Sequence, residues 1–303
     1  NSEGASASWG RTHVAVASSN GFARAYESSG SSMSASVLAG DSSTGMETDY
    51  DYTAAVYFGD LRTPEDVGRS AGERAVKKLG GRKIVSQKIP IIYDPRVARS
   101  IVGHFVAGIN GAAVARGTTF LKDLMGQEIF DPAITITEDP HKNRGLRSKP
   151  CDAEGLANHK RNLADKGVLT TWIMDLRASR QLNLEPTGHA SRGTGSPPGA
   201  SATNVILAPG SMTPGGLMAD IKQGLYVTDL VGQGVNMITG DYSRGAVGFW
   251  IENGEIAYPV HEVTVAGNLK DMFKRITAAD DLNVRYGIDS PTLRIDGMSV
   301  AGT

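Results

Sequence analysis

The sequence predicts an α+β fold, in which mostly antiparallel sheets carry a few packed helices. Segments with strand character outnumber helical ones, and residues that favour tight turns separate them, as expected when neighbouring strands run antiparallel. The 303 residues include 37 glycines but only 6% aromatic residues, a balance that suits many turns and close backbone contacts. No segment has the composition of a linker, so we expect a single domain over residues 1–303.

The first 60 residues are predicted to form strands. Ser19-Asn20-Gly21 is the predicted hairpin turn between the first two, because Asn and Gly tolerate positive φ. Four segments are short, β-rich or alternating in polarity: residues 13–18, 21–27, 31–39 and 51–58.

Two helices with clear end signals follow. Thr63 can cap the first helix and Pro64 suits its first position, while Lys77 and Lys78 fall in its last turn. Its predicted buried face is Val67, Ala71 and Ala75. A buried strand over 88–93 then leads into a second helix, which opens at Asp94-Pro95 and is predicted to run to about Arg116. Its apolar residues recur every four positions: Val97, Ile101, Phe105 and Ile109.

The remaining elements are assigned from turn residues and periodicity. Residues 188–201 show no periodicity and are predicted to be a loop that functions in recognition. The others are two antiparallel strands within 157–175 joined at 165–167, a short helix over 175–182, a helix over 213–224, a hairpin over 245–266 with Asn253-Gly254 as its turn, and a last helix that buries Leu269, Met272, Phe273 and Ile276.

Composition excludes several classes of partner. The net charge of −1 provides no field that would attract nucleic acid or an anionic membrane, and no apolar run approaches the ~18 residues that span a bilayer. Cys151 is the single cysteine, so an intrachain disulfide cannot form and a reducing compartment is favoured. The chain starts without Met or a signal peptide, and we expect it to be part of a longer protein.

Metal-binding spacing is missing from the chain. No two of the histidines stand three to five residues apart; they are His13, His104, His141, His159, His189 and His261. The helical window 100–111 contains His104 but no glutamate, and His104 is interpreted as a polar residue on the helix flank. His261-Glu262 lies in a strand without a second histidine. We therefore predict no catalytic, cofactor-binding or metal-binding residue in this chain.

Other motifs have a structural interpretation beside a functional one. Gly68-Arg69-Ser70-Ala71-Gly72 fits G-x-S-x-G, but Ser70 falls in mid-helix, where a nucleophile elbow cannot form. Gly232-Gln233-Gly234 has Met237 where a dinucleotide loop needs its third glycine. Residues 240–243 read as a turn or as a recognition segment. A basic loop reads as solvated or as a contact for an acidic partner or peptide: Lys142, Arg144, Arg147 and Lys149.

The order of several short segments resembles the TldD/PmbA family of metalloproteases. They are residues 1–4, 116–118, 152–155, 224–228, 240–243, 251–254, 259–260 and 291–294. Catalytic members carry His-Glu-x-x-x-His on the helix that corresponds to 94–116 and a cysteine shortly before the segment at Pro291. Both are missing here, so the resemblance points to the PmbA (TldE) branch. It implies that residues 1–303 form the family's C-terminal domain and that the family's N-terminal domain is not part of this chain.

The resemblance also implies a function. It predicts a non-catalytic subunit of a cytoplasmic heteromeric metalloprotease that matures peptide precursors and degrades unfolded polypeptides, with zinc held by a TldD-type partner and no cofactor in this chain. The branch also carries an older description as a modulator of DNA gyrase, although nothing in the residues indicates contact with nucleic acid. One alternative is a homodimeric peptide-binding or scaffold protein without protease activity. Another is an active hydrolase with an unusual site.

Overall fold

The predicted α+β class is confirmed by a computed structural model that describes residues 1–19, 21–41 and 45–302. The first three strands are β1 (Ser2–Ala17), β2 (Ala23–Asp41) and β3 (Gly45–Ala55), followed by helix α1 (Pro64–Lys77). The strands form one antiparallel sheet in the order β1-β2-β3, and α1 packs on β2 and β3. On the outer strand β1, residues 2–13 are all exposed.

The N-terminal sheet has fewer and longer strands than the sequence indicated. The predicted break at residues 28–30 is wrong, because β2 continues through it. Gly30 pairs with Gly10 and Ser29 pairs with Arg11, so cross-strand pairing overrides the turn preference of Ser and Gly. The predicted turn at Ser19-Asn20-Gly21 includes Asn20, which lies outside the described residues.

The end signals of α1 are confirmed. The Thr63 hydroxyl accepts the Asp66 N–H at 3.2 Å, and Pro64 occupies the first helical position. Val67, Ala71 and Ala75 are buried against the sheet, as the periodicity predicted. Ser70 is in mid-helix, so the G-x-S-x-G match forms no nucleophile elbow.

The rest of the chain builds a closed barrel, a second sheet and five more helices within the described residues. In chain order the elements are β4 (Gln87–Tyr93), α2 (Pro95–Gly108), α3 (Gly111–Ala115), β5 (Ile136–Asp139), β6 (Arg161–Asp165), β7 (Val168–Leu169), α4 (Leu176–Leu182), β8 (Ala190–Ser191), β9 (Gly199–Ala200), β10 (Asn204–Leu207), α5 (Pro214–Met218), β11 (Gln223–Val231), β12 (Asp241–Glu252), β13 (Glu255–Asn268), α6 (Leu269–Lys274), β14 (Ile276–Ala278), β15 (Ile288–Asp289) and β16 (Leu293–Ala301).

The barrel contains five strands in the order β13-β12-β11-β4-β16, and β16 pairs back onto β13 to close it. Only its β4–β11 pair is parallel. The second sheet has the order β15-β10-β5-β6-β7. Helix α2 contacts β4 and β11 of the barrel and β15 of the second sheet. Its buried face, which includes Ile101 and Phe105, is therefore part of the main hydrophobic core.

Two predicted helices end earlier in the structure. The helix predicted to reach Arg116 stops at Gly108, because the backbone of Ile109 and Gly111 pairs with Ile173 instead of continuing the helix. Asn110 then caps α3, and its side chain accepts the Ala112 N–H at 3.1 Å. The helix predicted over 213–224 ends at Met218, because the chain enters β11 at Gln223.

Later predictions hold with small changes. The hairpin turn is confirmed: Asn253 and Gly254 both have positive φ (50° and 86°) between β12 and β13. Ile276 is buried as predicted, but it lies in β14 rather than in α6, and it pairs with Ile295 of β16. The predicted loop over 188–201 contains the short pair β8–β9 at its base. Within the described residues, no helix is long and apolar enough to cross a bilayer.

Candidate functional site

Helix α2, which the sequence singled out for the missing metal motif, is fixed to the barrel at its first turn. The Asp94 carboxylate accepts the Arg96 N–H at 2.9 Å and the Tyr226 hydroxyl of β11 at 2.9 Å. Burial, and then the nearby Asp94 carboxylate, raise the pKa of Tyr226, so its hydroxyl stays a donor at neutral pH. These bonds fix the first turn of α2 against the barrel. Residues Ser100 to Gly108 then lie between the barrel and the second sheet.

His104 is half-buried on the flank of α2. Its ring meets Tyr242 edge-on with 6.0 Å between ring centroids, and its Nε2 atom is buried without a hydrogen-bond partner among the described residues. Burial, and then the positive charge of Arg244, lower the pKa of His104 to about 4. The imidazole is therefore neutral at physiological pH and packs from α2 against β12 of the barrel.

This environment makes stability depend on pH. The folded protein resists protonation of His104, whereas the unfolded chain binds a proton near the ordinary pKa of 6.5. Stability is complete above pH 6.5 and falls as the pH decreases from 6.5 towards 4. Between pH 7 and pH 5, the wild type is expected to lose roughly 1–2 kcal/mol more of its unfolding free energy than His104→Leu, whose side chain cannot titrate. Urea titrations at both pH values check this, and parallel losses in the two proteins would contradict it.

The segment before Pro291 lies against α2. The Arg99 guanidinium lies 4.6 Å from the ring centre of Tyr286 and donates to the Tyr52 hydroxyl at 2.7 Å. The buried Asp289 carboxylate accepts three backbone N–H groups, from Arg285 (2.9 Å), Tyr286 (2.8 Å) and Gly287 (3.1 Å). Asp289 therefore shapes the turn that leads into β16.

The residues at this junction do not fit a zinc ion. Zinc in proteins takes Cys, His and carboxylate ligands whose lone pairs are free to coordinate. His104 has an unpartnered Nε2 atom but lies edge-on against Tyr242 without two further ligands beside it among the described residues, and Asp289 is occupied by backbone N–H groups. In the ranges 1–19, 21–41 and 45–302, no group of three His, Cys, Asp or Glu residues could hold a metal ion. Cys151 is buried, and burial raises the pKa of its thiol.

A polar cleft of about 370 Å³ lies next to this junction, between the N-terminal sheet and the second sheet. Residues 52–55 of β3 form one wall, and the loops at 142–146 and 284–287 form the other. We refer to it as the β3 cleft. Its charged lining is predominantly basic: Arg62, Lys142, Arg144 and Arg285 face Asp60 and Asp289.

An ion pair spans the mouth of the β3 cleft. Arg144 Nη1 lies 2.7 and 2.9 Å from the two Asp60 oxygens, and its guanidinium lies 4.7 Å from the ring centre of Tyr57. Asn204 holds the same loop by accepting the Arg147 N–H at 3.0 Å and by donating to Ser148 at 2.9 Å. Part of the predicted basic loop thus lines the cleft, whereas Lys149 is half-buried and burial lowers its pKa.

Strand β3 presents a free edge to this cleft. It is the last strand of its sheet, and no strand within the described residues pairs with its other side. The N–H groups of Tyr50 and Tyr52 donate to the carboxylates of Asp49 and Asp51, which precede them. Successive N–H groups of an edge strand alternate between the neighbouring strand and the open side. The N–H groups of Tyr50 and Tyr52 bond to side chains rather than to β2, so they lie on the open side. Ala54 follows at the same two-residue spacing, so its N–H also lies on the open side, within the cleft.

Sequence reasoning missed a buried polar cluster at the base of the 188–201 loop. His189 Nε2 lies 2.5 Å from Glu138 Oε2 and His189 Nδ1 lies 2.8 Å from the Thr187 hydroxyl. Glu138 Oε1 also accepts the backbone N–H and the hydroxyl of Thr203, at 2.5 and 2.8 Å. Burial acts to raise the pKa of Glu138, but these hydrogen bonds more than offset it and the pKa is lowered. The cluster is internally satisfied, so it holds the loop in place.

The remaining segments singled out in the sequence have structural roles. Gly240 has a φ of 86°, which favours glycine, and residues 241–243 are the first residues of β12, where Asp241 accepts hydrogen bonds from Thr239 and Asn268. His261 contacts Glu47 at 3.2 Å, whereas Glu262 contacts Lys83 at 2.7 Å. The His261-Glu262 pair is therefore divided between two partners.

Comparisons with known proteins agree on one family. Residues 1–79 match the family model described as the PmbA/TldA metallopeptidase central domain, and residues 86–302 match the PmbA/TldA metallopeptidase C-terminal domain. The chain is 40% identical over 285 residues to the metalloprotease PmbA of Escherichia coli O157:H7 (94% of this chain, 61% of that protein). It is 39% identical over 307 residues to the PmbA homologue of Haemophilus influenzae (100% of this chain, 65% of that protein).

A solved structure has the same fold. A Bacteroides thetaiotaomicron protein, named as a candidate modulator of DNA gyrase, superimposes with a TM-score of 0.85 at 29% identity, over 94% of this chain and 63% of that one. The chain thus spans less than two thirds of the length of these relatives. Two family models match separate parts of the chain, and the single domain expected over 1–303 stays a prediction.

Proposed function

This chain belongs to the PmbA/TldA metallopeptidase family, and on that premise we propose that it is the PmbA (TldE)-type subunit of a heteromeric metalloprotease. In this proposal the chain binds no zinc, and a TldD-type partner in the cytoplasm carries the metal. The observation that supports it is the junction of α2 with the segment before Pro291. In catalytic relatives this helix carries the metal motif, but here His104 lacks two further ligands beside it among the described residues, and Asp289 is bonded to backbone N–H groups.

The contribution of the chain is to hold extended substrate. The β3 cleft combines an open strand edge with a basic lining, and an extended polypeptide can add to such an edge through main-chain hydrogen bonds. Main-chain pairing is tolerant of sequence, which suits unfolded polypeptides and peptide precursors. Lys142, which forms no ion pair with any described residue, favours substrates with acidic residues near the paired segment.

The metal proposal is tested on the isolated full-length protein and on its complex with a TldD-type subunit from the same cell. We expect substoichiometric zinc and no peptidase activity in the isolated protein, and chelator-sensitive activity when both subunits are present. Stoichiometric zinc in an active single subunit would overturn the proposal. Recovery of only the chain itself in a pull-down from native cells would instead support the homodimeric scaffold.

The strand edge is tested by removing one N–H group. Ala54→Pro takes away the open-side donor, whereas Ala54→Val keeps it and serves as the matched control. In the two-subunit enzyme we expect Ala54→Pro to raise KM for an unfolded polypeptide by roughly tenfold, about the value of one or two hydrogen bonds, and Ala54→Val to change it little. Equal KM values for the two variants would show that β3 does not pair with substrate.

A further inference from the structure

A second cavity, of about 510 Å³, lies where the C-terminal end of α1, the first turn of α2 and the barrel wall meet. We refer to it as the α1 cavity. It shares no lining residue with the β3 cleft. Its charged residues are Arg74, Lys77, Lys78 and Arg96 together with Asp49 and Asp94, and its apolar wall consists of Phe249, Ile256, Ala257, Tyr258 and Pro259.

The two carboxylates of the α1 cavity already have partners, cationic for Asp49 and uncharged for Asp94. Asp49 contacts Lys78 at 2.8 Å and Arg96 at 2.6 Å, and Asp94 accepts the N–H of Arg96 and the Tyr226 hydroxyl. Lys77, by contrast, forms no ion pair or hydrogen bond with any residue that the structure describes. An uncompensated positive charge therefore remains at the cavity mouth, where it favours an anionic group.

The opposite wall suits an apolar group. Ile256 is 49% exposed, which is high for a large aliphatic side chain beside a cavity. Tyr258 is held in place, because its ring stacks on Trp250 with 6.3 Å between ring centroids and lies 4.5 Å from the Arg82 guanidinium. A ligand that bridges the two walls needs one negative charge and one apolar group.

The remaining lining narrows the ligand class. Asp94, whose hydrogen-bond partners are uncharged, would repel a highly charged anion such as a phosphate ester, so a single carboxylate fits better. The hydroxyl groups of Tyr226 and Thr228 suit amide groups rather than a continuous alkyl chain. The volume lies within the range of about 300–1,000 Å³ that is usual for ligand sites.

We propose that the α1 cavity binds the C-terminal residue of a peptide. The α-carboxylate lies against Lys77, and an apolar side chain lies against Ile256 and Tyr258. This site is independent of the proposed strand pairing and of any metal-bearing partner, so it can be tested on this protein alone.

The test measures the fluorescence anisotropy of an N-terminally labelled, unstructured peptide that ends in leucine, either as the free acid or as the C-terminal amide. We expect the free acid to bind roughly tenfold or more tightly than the amide, because a charge-assisted contact is lost in the amide. Equal affinities would overturn the proposal. So would displacement of the peptide by hexanoate at equal concentration, since the occupant would then be a free apolar acid.

Two variants localise the binding. Lys77→Glu is expected to abolish the preference for the free acid, and Ile256→Ser to weaken binding of the free acid several-fold. Both side chains are exposed, so neither change should affect folding, and a thermal melt followed by circular dichroism confirms this. Lys122→Glu reverses the charge of an exposed lysine outside the cavity and is the matched control. If Lys122→Glu reduced binding as much as Lys77→Glu, general charge rather than the cavity would explain the preference.

Discussion

Replacing Glu138 by alanine is expected to lower the free energy of unfolding by roughly 3–5 kcal/mol. The side chains of Glu138 and His189 are only 2% and 3% exposed, so neither can be solvated by water if the other is lost. The alanine variant would leave the His189 ring and the N–H and hydroxyl of Thr203 buried without their acceptor. An unpaired buried polar group costs more than an exposed hydrogen bond contributes, and three donors are affected here.

Urea denaturation of Glu138→Ala, His189→Ala and the double variant measures both the loss and the coupling between the two side chains. Glu128→Ala removes an exposed glutamate and is the matched control, with little expected change. The wild type should also lose stability at acid pH, because the lowered pKa of Glu138 contributes stability above its ordinary value of 4.5 that disappears as the pH falls through the folded value. A loss below about 1 kcal/mol for Glu138→Ala would show that the cluster is not a stabilising unit.

Replacing Asp49 by alanine is expected to have a similar cost, roughly 3–5 kcal/mol. The Asp49 side chain is 1% exposed and lies between Lys78 (5% exposed) and Arg96 (12% exposed). Burial acts to raise the pKa of Asp49, but the two cations more than offset it, so the carboxylate is charged and its pKa is lowered. Without it, two adjacent cations remain in a poorly solvated place and repel each other.

The Asp49 variant also tests how the N-terminal sheet is attached to the rest of the protein. Asp49 is on β3, and Arg96 is on α2, so the ion pair joins the two regions that match the central and C-terminal family models. Hydrogen exchange should show faster exchange in β3 and in the first turn of α2 than in the wild type. The exposed pair Arg11–Glu27 gives the control, since Glu27→Gln should change stability little. Unchanged exchange in β3 of the Asp49 variant would contradict the attachment.

Local signals in the sequence were sufficient for several elements. Thr63 and Asp94 cap helices where predicted, and Asn253-Gly254 forms its turn, because each depends on neighbours within a few residues. The early end of α2 was not predictable in this way, since it results from backbone pairing of Ile109 with Ile173, a contact distant in sequence. The continuity of β2 likewise depends on pairing with β1.

In the candidate site, too, local signals predicted some features, whereas contacts between residues distant in sequence determined the others. The sequence indicated that the α2 window lacks ligands, because a metal motif is a local spacing. It could not show that Asp289 is occupied by three backbone N–H groups, or that β3 offers a free edge beside Arg144. Glu138 and His189 are 51 residues apart and on different elements, so no local pattern joins them. The single sequence signal is the alternation of β5, which places Glu138 on the buried face. A carboxylate there requires a hydrogen-bonding partner.

The closure of the barrel by β16 has a consequence for biosynthesis. Strand β16 sits between β4 and β13, and its partners in β4, such as Ile89 opposite Met298, precede it by roughly two hundred residues. While β16 is still in the ribosome exit tunnel, β4 has a vacant side and the core beneath it is exposed to water. We therefore expect assembly of the barrel to be slow, with a nascent intermediate that chaperones recognise.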